Sequence, residues 1–223
     1  MSLLGTLVRR YRQLTEEQTF ALDQLDWKLK PHLDFERGFF VEAGANDGLD
    51  QSNTRYFEKY RKWRGLLIEP IPELARQCRR NRPRCLVEHC ALVPFDYPNN
   101  TVEMRYCNLM SLVKGAMKSD EMDMAHVQLG CDVQGLATYE LQVPARTLTS
   151  VLKQHAVTRI DCFSLDVEGF ELNVLKGLDL DCYRPAWMLI EARFREEIDS
   201  FLKGQYEVVA ELSERDVLYK ARS

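Results

Sequence analysis

The chain has 223 residues, enough for one domain with a sizeable core, and its 45% hydrophobic share is ordinary for a soluble globular protein. A net charge of −4 gives no sign of binding to nucleic acid or an anionic membrane, and the longest apolar runs are too short to span a bilayer. Seven scattered cysteines, no CxxC pair and no secretory signal at the start predict buried thiols in a reducing cytoplasm.

Residues 1–37 are predicted to form a helical N-terminal extension. Apolar residues recur there at three- and four-residue steps, the spacing of one helix face: Leu3, Leu4, Leu7, Val8, Tyr11 and Leu14. Thr15 with Gln18 would cap a second helix, which Pro31 would close. The stripe is typical of packing against a main domain, while a substrate lid, a homodimer arm or a membrane-surface helix are the functional alternatives.

From residue 39 the pattern alternates between strand and helix. Strands are predicted at 39–45, 65–70, 85–93, 161–167 and 186–192, and helices at 52–62, 72–81, 147–156, 169–176 and 195–202. Short apolar strands separated by helices indicate an α/β domain with a mostly parallel sheet, here over residues 38–223. The C-terminal runs QYEVVAEL and DVLYKAR, joined by the turn SER, indicate an antiparallel hairpin.

Residues 96–143 interrupt this alternation and are predicted to be a lid-like insertion. Two strands, TVEMRYCNL and TYELQV, flank a Met-rich segment of weak periodicity. Insertions of this kind lie on the surface and often cover a site. The segment's methionines would form either an adaptable apolar wall for a substrate or a loosely packed surface: Met110, Met117, Met122 and Met124.

The run EAGANDG, residues 42–48, ends the first predicted strand in a glycine turn. Ligands of open α/β sheets bind beyond the carboxyl ends of the strands, where glycine lets the backbone approach them. Ser52 would cap the next helix and direct its free N–H groups at an anion. The second strand ends in Glu69, the position of an acid that grips ribose hydroxyls. Turn and acid together predict a nucleoside cofactor.

The charges around the turn select among nucleosides. A nicotinamide dinucleotide requires GxGxxG, but Asn46 stands at the middle glycine and Glu42 precedes the turn. A carboxylate repels a pyrophosphate and attracts a cation, which favours S-adenosylmethionine (SAM) with its sulfonium and ammonium groups. Two alternatives remain: a nicotinamide-dependent oxidoreductase, and a non-catalytic module that binds SAM or another nucleoside.

The segment EAGANDGLDQSNTRYFEKYRKWRGLLIEPIP resembles the FkbM family of SAM-dependent methyltransferases. The resemblance continues in CALV, RTLTSVL, LDVEGFELNVLKGL and the strand WMLIE, and it covers about residues 38–210. It implies a class I methyltransferase (Rossmann-like) fold, with a seven-stranded sheet in the order 3-2-1-4-5-7-6 and a reversed C-terminal hairpin. It also implies O-methylation of a hydroxyl on a sugar, a polysaccharide or a natural product, hence a small-molecule or glycan acceptor.

The resemblance assigns site residues by position. Glu42, Gly44, Asn46 and Gly48 would line the methionine part of SAM, Glu69 would bind the ribose, and Cys90 with Ala91 would flank the adenine. The cofactor site would also include Ala45, Ser52, Asn53, Pro70 and Asp166.

Deprotonation of the acceptor hydroxyl requires a base, and Asp166 at the end of the fourth strand is the first candidate. Glu168 follows it in DVEGFE, where clustered carboxylates raise one another's pKa, and His126 lies in the insertion. Glu171 either joins this cluster or faces solvent at a helix start. Asp166 and Glu191, at the ends of adjacent strands, would alternatively share a divalent metal ion.

Overall fold

The computed structural model describes residues 17–222. Its strands are β1 (Phe39–Ala43), β2 (Arg64–Ile68), β3 (Leu86–Glu88), β4 (Ala91–Leu92), β5 (Thr101–Tyr106), β6 (Leu112–Val113), β7 (Tyr139–Arg146), β8 (Cys162–Leu165), β9 (Trp187–Glu191), β10 (Tyr206–Glu211) and β11 (Asp216–Ala221). Its α-helices are α1 (Leu25–Leu33), α2 (Arg55–Arg61), α3 (Pro72–Asn81), α4 (Asp120–Gln134), α5 (Leu148–Gln154), α6 (Glu171–Leu175) and α7 (Arg195–Leu202).

Seven strands form the central sheet, in the order β3-β2-β1-β8-β9-β11-β10. Counted within this sheet alone, the order is 3-2-1-4-5-7-6, because β4 to β7 belong to a second sheet. β11 runs antiparallel to both β9 and β10, whereas the other neighbours are parallel. The α/β class I methyltransferase fold and its reversed C-terminal hairpin are confirmed.

Both faces of the central sheet are covered, which explains why its strands are continuous apolar runs. In β1, Phe40 and Val41 are fully buried and belong to separate core clusters on opposite faces. Phe40 packs with Trp63 of the segment before β2, and Val41 packs with Phe163 of β8. Burial on both faces fixes the register of the strands, and with it the edge at which they end.

The predicted strand at 85–93 is wrong as a single element. The structure divides it into β3, which pairs with β2 in the central sheet, and β4, which pairs with β7. β4, β7, β5 and β6 form a second, four-stranded sheet in that order. The chain therefore changes sheets between Glu88 and Ala91, because the backbone of Ala91 and Leu92 finds its partners in Ala145 and Arg146.

The N-terminal extension differs from its prediction within the described residues. Thr15 lies outside the described part, residues 17–20 are not helical, and the helix begins at Leu25. Pro31 lies inside it, two residues before its end at Leu33. Leu25, Leu29 and Leu33 are buried against the main domain. The predicted stripe from Leu3 to Leu14, and the homodimer expected from it, concern residues outside the described part.

Helix α4 occupies the Met-rich segment, for which the sequence pattern predicts no helix. Ser119 caps it by accepting a hydrogen bond from the Met122 N–H, and Gly135 ends it in a left-handed conformation (φ +65°). Three acids in its first turn complement the helix dipole. These end signals are readable in the sequence, but several apolar residues of the helix are exposed, so they do not form a buried stripe.

The sequence predicts buried thiols and no membrane-spanning segment, and the structure gives the state of the cysteines and the lengths of the helices. All seven cysteines are free thiols, and most are buried. Between residues 17 and 222, no helix combines the length and apolar character that a bilayer crossing requires.

Candidate functional site

A cavity of about 380 Å³ lies at the carboxyl ends of β1, β2, β8 and β9. This is the edge at which open α/β sheets bind ligands, and the volume is in the range of ligand pockets. Most of the predicted cofactor residues line it: Glu42, Gly44, Ala45, Asn46, Ser52, Asn53, Glu69, Pro70, Cys90, Ala91 and Asp166. Gly48 is outside the described cavity wall, as is His126.

Gly44 brings the glycine turn into backbone contact with the strand that ends at Asp166. Gly44 has φ +83°, and a Cβ built there would overlap the Asp166 carbonyl oxygen. The Asp166 N–H donates to the carbonyl of Ala43 at 3.1 Å, which extends the β1–β8 pairing by one residue. Only glycine fits this crossing, and its bare backbone faces the cavity.

Glu42 is a buried anchor for the segment that follows the turn. Its carboxylate accepts hydrogen bonds from the Ser52 hydroxyl (3.0 Å), the Asn53 N–H (2.9 Å) and the Thr54 hydroxyl (2.7 Å). The Ser52 oxygen in turn accepts from the N–H of Arg55, the first residue of α2. The prediction that Ser52 caps the helix is wrong, because the N-cap of α2 is Thr54, and the Ser52 hydroxyl is committed to Glu42 rather than directed at an anion.

Arg82 fixes the far side of the turn. It is fully buried, forms an ion pair with Glu58, and donates to the Gly48 carbonyl at 3.0 Å. A Cβ at Gly48, where φ is +83°, would come within 3.1 Å of the Arg82 side chain. Gly48 thus shapes the turn from behind and does not face the cavity.

Glu69 joins the two strand ends next to the cavity. Its Oε2 accepts from the Asn46 N–H and its Oε1 from the Ile71 N–H, both at 2.8 Å. Burial raises the pKa of the carboxyl to about 8, despite these two hydrogen bonds. Each carboxylate oxygen keeps a second lone pair, so the side chain can accept two further donors from a ligand in the cavity.

Asp166 follows β8 and opens into the cavity. No donor among the described residues hydrogen-bonds to its carboxylate, and more than a third of its surface is accessible from the cavity. The protein packed around the carboxyl on the sides away from the cavity excludes water and raises its pKa well above the usual range, and the nearby charges of Glu191 and Glu168 raise it further. A free carboxylate with a raised pKa has the properties of a general base at neutral pH.

Two of the predicted catalytic residues, Glu168 and His126, lie next to each other at the edge of the cavity. His126 Nε2 lies 3.3 Å from Glu168 Oε2 without hydrogen-bond alignment, and Arg193 donates to the same oxygen at 2.7 Å. Arg193 also reaches Glu191 Oε1 at 3.5 Å. Glu168 lines the cavity with its charge paired, whereas the carboxylate of Asp166 has no ion pair among the described residues.

Glu171 is not solvent-facing, although it is the first residue of α6. Its side chain is 1% exposed, and its Oε1 accepts from the N–H groups of Val167 and Gly169. It therefore holds the turn that presents Asp166 and Glu168. Burial raises its pKa to about 7, partly offset by these hydrogen bonds.

The raised pKa of Glu171 predicts a pH-dependent cost in stability. The folded state retains a proton up to about pH 7 that the unfolded state releases near the ordinary value of 4.5, so stability falls as pH rises between these values. Glu171→Gln keeps an acceptor for both N–H groups and does not titrate. Relative to wild type, its free energy of unfolding in urea should gain up to about 3 kcal/mol across this interval. The same change at the exposed Glu121 should produce no such gain, and equal behaviour of the two variants would contradict this account.

The metal alternative gains no support from the geometry. Across residues 17–222, no three His, Cys, Asp or Glu side chains are grouped so that they could hold a metal ion. Glu191 lies at the end of β9 as predicted, but its Oε1 faces Arg193 (3.5 Å) and Arg215 (3.4 Å). Two arginines therefore lie beside the carboxylate that was predicted to share a metal ion with Asp166.

Buried polar atoms without a hydrogen-bond partner concentrate around the cavity. Three of them belong to residues of its wall: Asn53 Oδ1, Glu191 Oε2 and Arg193 Nε. Folded proteins pair nearly all such atoms, and the exceptions mark strained or functional places. The wall of the cavity therefore holds polar atoms to which the protein itself supplies no hydrogen-bond partner.

Several residues of the site were missed by sequence reasoning. Arg82 stands in the basic run RRNRPR, where nothing distinguishes one arginine from another. Arg193 follows Glu191 by two residues, and only the structure shows that it bridges two acids. Leu22 of the N-terminal segment and the insertion residues Leu109 and Met110 complete the cavity wall. Of the four methionines predicted to form an apolar wall or a loosely packed surface, Met110 lines the cavity, Met117 is buried, and Met122 and Met124 are exposed.

The chain is similar in sequence and in structure to known methyltransferases. The family model for the methyltransferase FkbM domain matches residues 42–216. A structure of methyltransferase FkbM from Methylobacillus flagellatus KT matches at 16% identity and TM-score 0.47, over 83% of this chain and 43% of that one. A proposed caffeoyl-CoA O-methyltransferase from Staphylococcus aureus matches at 8% identity and TM-score 0.50, over 100% and 93%. This chain spans less than half of the Methylobacillus protein. No protein of curated function matches the chain.

Proposed function

Because the chain belongs to the FkbM methyltransferase family, we propose that it binds SAM in the cavity and methylates a hydroxyl group of a sugar, a polysaccharide or a natural product. One observation carries this proposal. Glu69 and Asp166, which have different tasks in the proposed reaction, open into one cavity on either side of the bare backbone at Gly44.

The residues present fit the cofactor. Glu69 would accept hydrogen bonds from both ribose hydroxyls through its remaining lone pairs. Cys90 and Ala91 form a buried apolar wall beyond β3 that suits the flat face of adenine. Gly44, Ala45 and Asn46 give backbone access for the methionine part, and the negative charge of Glu42 and Asp166 suits its positively charged sulfur.

When bound, SAM supplies a methyl group on a positively charged sulfur. In this proposal Asp166 accepts the proton of the acceptor hydroxyl, and the pairing of Glu168 with Arg193 keeps Glu168 from competing for it. Much of the remaining catalysis is alignment of the acceptor by the cavity wall. His126 contacts Glu168 and is the second candidate for moving a proton at this edge.

A binding titration followed by an acceptor screen tests the proposal. S-adenosylhomocysteine should bind, NAD should not, and labelled methyl should pass from SAM to at least one hydroxylated compound. Binding without transfer to any acceptor would favour the non-catalytic module, and binding of NAD instead would favour an oxidoreductase.

Glu69 should make nucleoside binding pH-dependent. The probe 5′-methylthioadenosine carries the ribose and has no group that titrates near pH 8. Its affinity should rise with pH through about 8, since Glu69 must lose its proton to accept from both hydroxyls. Glu69→Gln keeps the fold contacts of one oxygen, and it should bind the probe on the order of 2–3 kcal/mol more weakly at high pH, with a flat profile. A pH-dependent affinity that persists in Glu69→Gln would refute the assignment.

A further inference from the structure

Helix α4 carries an exposed aliphatic face that begins at the mouth of the cavity. Residues 122, 126, 129 and 133 are spaced by four, three and four positions, which places them on one side of an α-helix. Met122 is 53% exposed, Leu129 57% and Val133 73%. Exposed helix positions are usually polar, so three large apolar side chains on one side need an explanation. Val133 also lines the cavity, so the face and the site are continuous.

His126 shows which way this face is turned. It lies between Met122 and Leu129 on the same side of the helix, and its Nε2 is 3.3 Å from Glu168 Oε2. Since Glu168 lines the cavity, the face borders the site at His126 as well as at Val133. From Met122 to Val133 the helix rises by roughly 16 Å. We refer to Met122, Leu129 and Val133 as the aliphatic track.

The track and the cavity differ in chemistry. The cavity presents carboxylates, of which Asp166 is free to meet a hydroxyl group, and its mouth is bordered by further aliphatic side chains from Leu22, which is 56% exposed, and Leu109. A saccharide surrounded by hydroxyl groups would gain little from an aliphatic surface. An alkyl chain gains from every methylene that leaves water. The pair of surfaces therefore fits a molecule with a hydroxylated head and an aliphatic chain.

We propose that the acceptor is an amphiphile, whose hydroxylated head lies in the cavity at Asp166 and whose aliphatic chain lies along the track. This inference rests on the proposed function, since the cavity must hold a methyl acceptor. It narrows that function, because free sugars and polysaccharides lack the part that the track would bind.

A chain-length series tests the inference without requiring turnover. Butyl, hexyl and octyl β-glucosides share one head, and each is titrated calorimetrically, below its micelle concentration, into the full chain saturated with S-adenosylhomocysteine. Affinity should rise about fourfold for each added methylene. In the double variant Leu129→Gln/Val133→Thr this increase should largely disappear. The matched control Leu86→Gln/Val208→Thr changes an exposed leucine on β3 and an exposed valine on β10, away from the cavity, and should keep the wild-type increase.

The outcomes separate this inference from the proposed function. Normal binding of S-adenosylhomocysteine with a flat series in wild type, or with equal increases in wild type and the double variant, would overturn the amphiphile and leave the methyltransferase proposal standing. Failure to bind S-adenosylhomocysteine would overturn the proposed function instead. A flat series with wild-type self-association that the double variant abolishes would show that a second copy covers the track, and would also overturn the inference.

Discussion

Asp166→Asn should bind S-adenosylhomocysteine with nearly wild-type affinity and should transfer a methyl group about a hundredfold or more slowly, the usual scale for a positioned general base. The substitution keeps the size of the side chain and the backbone contacts of residue 166 with Ala43 and Gly44. It removes only the carboxylate, which accepts no hydrogen bond from the described protein and opens into the cavity.

The pH dependence of the methyl-transfer rate shows whether Asp166 acts as a base or takes no part in the reaction. In wild type, activity should rise with pH through the pKa of Asp166, which desolvation by the surrounding protein and the charges of Glu191 and Glu168 place well above its usual range. This rise of activity with pH should be absent from Asp166→Asn. It should be retained in Asp96→Asn, which changes an exposed aspartate distant in sequence. Transfer by Asp166→Asn at the wild-type rate would exclude Asp166 as the base and direct attention to His126.

The second large effect is expected at Gly44. Gly44→Ala should destabilise the fold by at least about 4 kcal/mol, because the new Cβ would overlap the Asp166 carbonyl and the residue would stay left-handed (φ +83°). The damage would arise inside the protein, between β1 and β8, before any ligand binds. Unfolding in urea measures it in the absence of SAM.

Gly135 provides a matched control for this substitution. It also has positive φ (+65°), but no atom lies within 4 Å of a Cβ built there. Gly135→Ala should therefore cost only the left-handed conformation, about 1 kcal/mol. Equal losses in the two variants would show that backbone strain alone limits both positions, and that the contact between Gly44 and Asp166 is not tight.

Features that depend on local pattern were predictable from the sequence. The strand ends at Ala43, Ile68 and Leu165 follow from short apolar runs, and parallel neighbours must end at one edge of the sheet. The positions of Glu69 and Asp166 beside the glycine turn therefore required only the strand order. The hairpin after Lys203 was readable for the same reason, because turn residues separate two strand-length runs.

Features that depend on long-range partners were not predictable. Arg82 is 24 residues from Glu58 and 34 from Gly48, and no spacing rule connects them. The break between β3 and β4 depends on β7, which comes some fifty residues later. Pro31 does not end α1, because Leu29 and Leu33 are buried on either side of it and their packing outweighs one lost hydrogen bond. Burial likewise decided the orientation of Glu171.

The cofactor site can be checked in a crystal structure of the full chain with S-adenosylhomocysteine. We expect both ribose hydroxyls to donate to Glu69, adenine to lie against Cys90 and Ala91, and the sulfur to face Asp166. A ligand whose ribose lies away from Glu69, or whose sulfur points away from Asp166, would contradict this expectation.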